Sequence, residues 1–149
     1  MIVGRGVVKK LRFGYVVKAI KMKLSEAMRL GASKVEQSRT CFLRCDEDAC
    51  NDRVVSACAI GCAMIGYSGT TDYGDILDAM GINSAQIYSS YGQEFLLRTL
   101  NKAGIHEDKL AIDPVSNAET RLLTIVMSLN DKMAYTVGEI ADWLEGLGL

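Results

Sequence analysis

Apolar residues recur at intervals of three and four over most of this chain, the spacing of helices with one buried face. In "MKLSEAMRLGASKV", Leu24, Ala27, Met28 and Val35 share a side, and Ser25 is placed to cap the helix they predict. Asp52 precedes "RVVSACAIGCAMIGY", which is apolar nearly all round and therefore predicts a buried central helix. Its Ala57, Ala59, Gly61 and Ala63 are small enough to let neighbouring helices come close. Asp72 and Gly81 bracket a short helix as N-cap and left-handed terminator. Ser90 with Gln93, Ser116 with Glu119, and Thr136 with Glu139 each form the capping-box pattern. The first opens "EFLLRTLNKAG", stopped by Gly104. The second opens a helix burying Ala118, Leu122, Ile125, Val126 and Leu129, and the third one burying Val137, Ile140, Ala141, Leu144 and Leu147. The predicted fold is mainly α, a compact bundle of five to six helices with little sheet.

The first 21 residues depart from this pattern. In "KLRFGYVVK", Leu11, Phe13, Tyr15 and Val17 alternate as in a short strand near the N-terminus, while Val8, Leu11, Tyr15 and Ala19 equally form one face of a basic helix. This stretch carries six basic side chains (Arg5, Lys9, Lys10, Arg12, Lys18 and Lys21) and no acid. Met22 then reads like a natural beginning. The expectation is that residues 1–21 are a basic leader, appended or mis-annotated, and that residues 22–149 form a single helical domain.

Charge and cysteine usage narrow the function classes. The chain has 17 basic and 18 acidic residues, so removing the leader's six leaves 11 against 18, a net of −7. An acidic body argues against gripping a phosphate backbone over a broad face. No apolar run approaches the roughly 20 residues of a membrane-spanning helix, and the N-terminal pattern is broken by basic residues, unlike a signal peptide. Five cysteines cannot all pair within one chain. A cytosolic protein with free thiols is the expectation.

The candidate chemistry is sparse. Cys41, Cys45 and Cys50 flank an acidic link, with neither the CxxC spacing of zinc knuckles nor a common ferredoxin spacing. In helical segments the two pairs four apart, Cys41 with Cys45 and Cys58 with Cys62, would still set thiolates side by side; Cys41, Cys45 and Cys50 are the candidate metal ligands, with zinc the candidate ion, beside the reading of simple thiols. Cys58 and Cys62 lie in the most apolar stretch, where cysteine behaves as a small hydrophobe. A cysteine nucleophile would need a base, and His106, in "GIHEDK", is the single histidine. A Cys–His106–Asp131 triad can be drawn, but nothing in the sequence ties its members together. The acids Asp46, Glu47 and Asp48 lack the calcium-loop pattern, and "GYSGTTDYG" lacks the phosphate-binding lysine.

"TVGEIADWL" has the look of the first helix of a helix-turn-helix. No recognition helix has room to follow it here, and Glu139, Asp142 and Glu145 would repel phosphates. Asn130 and Asp131 stand as a polar pair between two helices, either contacting a partner or ending one helix and binding backbone amides of the next turn. Trp143, on the flank of the last helix, suits either a binding surface or the edge of the core.

Three stretches in order, "MKLSEAMRLGA", "ACAIGCAMIG" and "IVMSLNDKMAYTVGEIADWLEGLG", resemble a family of small uncharacterised bacterial and phage or prophage proteins. Its members open with a Leu-Ser-Glu-Ala-Ile-Arg-Leu-Gly-like helix, carry a central Cys-Ala-Leu-Gly-Ala-like segment and close on a Leu-Asn-Asp and an Ile-Ala-Asp-Trp-like helix. The resemblance covers most of residues 22–149 and is weakest between 67 and 110. Many members add a Cys-Pro-x-Cys knuckle and histidines flanking the Leu-Asn-Asp, a set suited to tetrahedral zinc. The corresponding residues here are Asp113, Pro114, Val115 and Ser116, then Ser128 and Met133, so every such ligand is replaced. The resemblance thus implies a retained scaffold without that metal site.

The sequence therefore predicts a cytosolic phage or mobile-element accessory protein that binds a protein partner or self-associates through Asn130, Asp131 and Trp143. A metal or redox protein using Cys41, Cys45 and Cys50 is the alternative, and a cysteine-dependent enzyme the third reading.

Overall fold

The central stretch divides into two elements where one helix is expected. The computed structural model describes residues 9–10, 16–17, 22–39, 41–46, 52–82 and 87–149. In chain order these form β1 (Lys9–Lys10), β2 (Val16–Val17), α1 (Leu24–Ala32), β3 (Glu36–Gln37), β4 (Leu43–Cys45), β5 (Val54–Ala57) and α2 (Ala59–Ser68). There follow α3 (Tyr73–Met80), α4 (Ile87–Ala103), β6 (Leu110–Ile112), β7 (Glu119–Arg121), α5 (Leu122–Asp131) and α6 (Val137–Gly146). The fold leans to α, but among the described residues three small sheets accompany the helices, so the pure bundle that the periodicity predicts is not what they form.

The sheets arise where local chemistry overrides helical spacing. Val54 and Val55 are β-branched and suit the pleat, and β5 runs between β3, parallel, and β4, antiparallel. The helix begins only after Cys58, whose Sγ accepts from the Gly61 amide at 3.5 Å. The Ser116–Glu119 box does not open a helix. Asp113 Oδ1 instead accepts from the amides of Val115 (2.8 Å) and Ser116 (3.2 Å), which folds the Pro114 segment into a turn. Asn117 takes a left-handed φ of 63°, and β6 and β7 pair as an antiparallel hairpin. In the N-terminal stretch β1 pairs antiparallel with β2; Leu11, Phe13 and Tyr15 lie outside the described residues.

Helix α2 is buried along nearly its whole length, and the other helices pack around it. Its tightest neighbour is α1. A Cβ at Gly31 would fall on the backbone of Cys62, and one at Gly66 on the backbone of Ala27, so this crossing is a backbone-to-backbone contact only glycine permits. Gly61 meets the Phe42 carbonyl in the same way. Ser25 is not the cap of α1. It lies inside the helix, fully buried, and its hydroxyl donates to the Leu149 carbonyl at 2.8 Å. The entry is closed instead by the Lys23 amide donating to Glu26 at 3.1 Å. Val35 lies beyond the end of α1. Helix α6 packs on α1 with Ile140, Ala141 and Leu144 buried, and Arg29 of α1 pairs with Asp142 and Glu145, each at 2.6 Å.

The caps at Asp72, Gly81, Gly104 and Thr136 follow the sequence. Asp72 accepts from the Asp75 amide at 2.9 Å, and Gly81 and Gly104 take left-handed φ values of 72° and 73°. Thr136 and Glu139 exchange both bonds of a capping box, at 3.1 and 2.8 Å. Helix α4 starts at Ile87, before the predicted Ser90 cap.

Candidate functional site

The polar pair at Asn130 and Asp131 sits at a junction of four elements. Asn130 is 1% exposed, on the last turn of α5. Its Oδ1 accepts from the Ala59 amide at 3.0 Å, closing the first turn of α2, and from Gln37 Nε2 at 2.9 Å. Its Nδ2 donates to the Ser38 carbonyl at 3.1 Å and to Asp131 Oδ1 at 2.7 Å. Gln37 spans to α6, donating to the Tyr135 carbonyl at 2.9 Å and accepting from the Val137 amide at 3.2 Å. The Arg39 guanidinium donates to the carbonyls of Asn130 (3.0 Å) and Tyr135 (2.6 Å), a cation at the C-terminal end of α5, where the helix dipole favours it. Every polar atom of the Asn130 amide is turned inward. Asn130 is thus an internal strut, and the amide it binds belongs to α2, not to the next turn. Asp131 is exposed at the edge of the junction.

Beside the strut lies a cavity of about 40 Å³, room for a water molecule. Cys41, Phe42, Cys58, Met127, Asn130 and Asp131 are among its walls. A thiol at a helix N-terminus normally acidifies. Here burial outweighs the amides of Gly61 and Ile60, with the Asp131 charge adding to it, and the Cys58 thiol is pushed up to about 11. Burial likewise pushes Cys62 up to about 12. Both are neutral thiols at physiological pH, and Cys62 is wholly enclosed. His106 belongs elsewhere. It is 76% exposed after α4, on an open concavity with Glu94, Arg98 and Glu107, and its Nδ1 accepts from the Asp108 amide at 3.1 Å. Cys58 and Asp131 thus share a cavity, but the histidine a triad would need does not line it.

The candidate metal ligands are arranged differently from the helical premise. Cys45 closes the three-residue strand β4, and Cys41 precedes that strand across a bend at Phe42, so neither lies on a helix. They do not stand side by side as one helical face would set them. Cys41 is exposed and Cys45 half-buried; Cys50 lies outside the described residues. Among the described residues no group of three or more histidine, cysteine or acidic side chains is placed to hold a metal ion. No helix of the described residues is long and apolar enough to cross a membrane.

Trp143 is half-buried against the core from α6. The more open apolar surface is the β6–β7 hairpin, which the capping-box reading passes over. Leu110, Ile112 and Val115 are 49%, 50% and 50% exposed, while Ala111 between them packs against the core. Leu110 and Ile112 alternate with Ala111, so they share the outward face, opposite Arg121 and Glu119 respectively. A signal lies in "LAIDPVSNAET": a short apolar run, Leu110 to Ile112, followed at once by the turn-forming Asp113, Pro114, Ser116 and Asn117.

No family model, curated protein or solved structure matches the chain.

Proposed function

We propose that this chain is a cytosolic accessory protein of phage or mobile-element type that acts by binding another protein chain, with the hairpin as its contact surface. The exposed row of Leu110, Ile112 and Val115 carries this reading. Apolar side chains singly scattered on a surface mean little, whereas here two half-exposed ones share one face of β6 and a third lies in the adjoining turn. The interior gives no competing purpose for the hairpin: Ala111 anchors it, and its outer face turns away from the core.

The test is affinity capture from the native host with the intact chain and with the triple variant Leu110→Ser, Ile112→Ser, Val115→Ser. A specific partner should be retained by the parent, lost by the variant, and bound again when both purified proteins are mixed. A partner held equally by the variant would move the contact surface away from the hairpin and refute the proposal. Turnover of a substrate abolished by Cys58→Ser alone would refute the binding reading itself.

A further inference from the structure

Among the described residues the edge of β6 is open, and its sequence is self-complementary. Asp113 N donates to the Ala118 carbonyl at 2.9 Å, and Leu122 N donates to the Lys109 carbonyl at 2.7 Å. This fixes the parity of the hairpin: residues 109, 111 and 113 bond inward to β7. The backbone N–H and C=O groups of Leu110 and Ile112 therefore point out from the other side of the strand. No strand pairs with β6 on that side among the described residues. The residues that offer free backbone groups are the same two that offer exposed apolar side chains. An edge of this kind recruits a further strand.

Resting on the reading of the hairpin as a contact surface, we propose that the strand recruited is β6 of a second copy of this chain, paired antiparallel about a two-fold axis through Ala111. In "KLAID" that register sets Lys109 opposite Asp113 of the other copy, Leu110 opposite Ile112, and Ala111 opposite itself. Both ends then bring opposite charges face to face, and both apolar residues meet apolar residues. Among the described residues Lys109 has no ion-pair partner of its own. Asp113 keeps its charge, because the Val115 and Ser116 amides hold its carboxyl below the ordinary range.

The backbone makes the same choice independently. Leu110 and Ile112, whose N–H and C=O groups are free, become the hydrogen-bonded pairs, giving four bonds across the axis. Ala111 falls in the non-hydrogen-bonded position. Shifting the axis to Leu110 would set Ile112 opposite Asp108, and shifting it to Ile112 would set Leu110 opposite Pro114, which has no N–H. Only the central register satisfies charge, apolar contact and hydrogen bonding together. Five residues a side make a small interface, so the pair is weak and concentration-dependent.

Sedimentation velocity of the full chain, from about 10 μM to about 1 mM at low salt, tests this. The parent should pass from monomer to dimer across that range. K109E sets like charges across both ends and should weaken the dimer on the order of tenfold, as should D113K. An equimolar mixture of K109E and D113K restores opposite charges and should recover association. Because Asp113 also holds the turn, K109E alone is decisive should D113K fail to fold. In a Cys41→Ser background, A111C should form an intermolecular disulfide in oxidised glutathione, whereas L110C should not, its mate lying off the axis. A parent monomeric to 1 mM, or a dimer indifferent to K109E, overturns the self-pairing. The broader reading is separate: a monomeric parent that still captures a host protein through the hairpin loses only the second copy as partner.

Discussion

Replacing Asn130 by alanine should destabilise the domain far more than an exposed polar residue at a helix end would. The substitution removes both acceptor bonds and both donor bonds of the amide at once. The dominant loss is at Ala59, 1% exposed, whose N–H is left without its acceptor at about 1–3 kcal/mol. Gln37 keeps the Tyr135 carbonyl, and Asp131 is exposed, so neither adds much. The half-buried Ser38 carbonyl loses its donor, and the space vacated adjoins a cavity already able to hold water, which offsets part of the cost. The net is about 1–3 kcal/mol. For a domain of this size that lowers the melting temperature on the order of 10 °C. The measurement is urea unfolding followed by circular dichroism, with Asn130→Asp beside it. In that variant a carboxyl oxygen faces the Ser38 carbonyl and the Asp131 carboxylate, so the folded state favours its protonated form and raises its pKa above the unfolded value. Stability is then greatest below the unfolded pKa and is lost as pH rises through the folded one. Asn130→Asp should approach the parent near pH 4 and fall furthest behind near pH 8. An Asn130→Ala variant within 1 kcal/mol of the parent would refute the role of strut.

Further predictions test other parts of the molecule. Gly31→Ala drives a methyl into the Cys62 backbone and should cost about 2–4 kcal/mol in chemical denaturation, while Gly146→Ala, with open space around it, should stabilise by a few tenths up to about 1 kcal/mol. In the native state at pH 8, Cys41 should react readily with a thiol reagent, while Cys58 and Cys62 should stay protected until the chain unfolds; fast labelling of Cys58 would contradict its placement. The Asp113 carboxyl is depressed by the Val115 and Ser116 amides, so its contribution is present above the unfolded carboxyl pKa and lost as pH falls through the folded one. The gap in melting temperature between the parent and Asp113→Asn should accordingly close on acidification; a gap that is constant with pH would remove the carboxylate from the turn.

The sequence was legible where the deciding interaction is local. Thr136 with Glu139, and Asp72 with Gly81, act within a turn or two of themselves, and the structure places them as caps. The same pattern at Ser116 and Glu119 misleads, because Asp113 competes for the turn amides and commits the segment to a hairpin. The apolar run around Cys58 gave away its burial but not its division into strand and helix, since a fully buried segment has no polar face to show its period. Asn130 was visible as a polar residue at a helix end. Its role was not, because its decisive partner, Ala59, is 71 residues away. The exposed face of the hairpin was hidden for a related reason: it follows from which side of β6 meets the core.

That distance has a consequence for the order in which the molecule can be completed. During synthesis, α2 emerges well before the residue that closes its first turn. At about 5–20 residues per second, the 71 positions between them correspond to roughly 4–14 seconds. Throughout that interval the α2 segment lacks the acceptor for its leading amide, and α5 and α6, which supply part of its covering, are not yet made. The order of synthesis thus leaves this segment uncovered until α5 and α6 follow, and Asn130 arrives with the first of them.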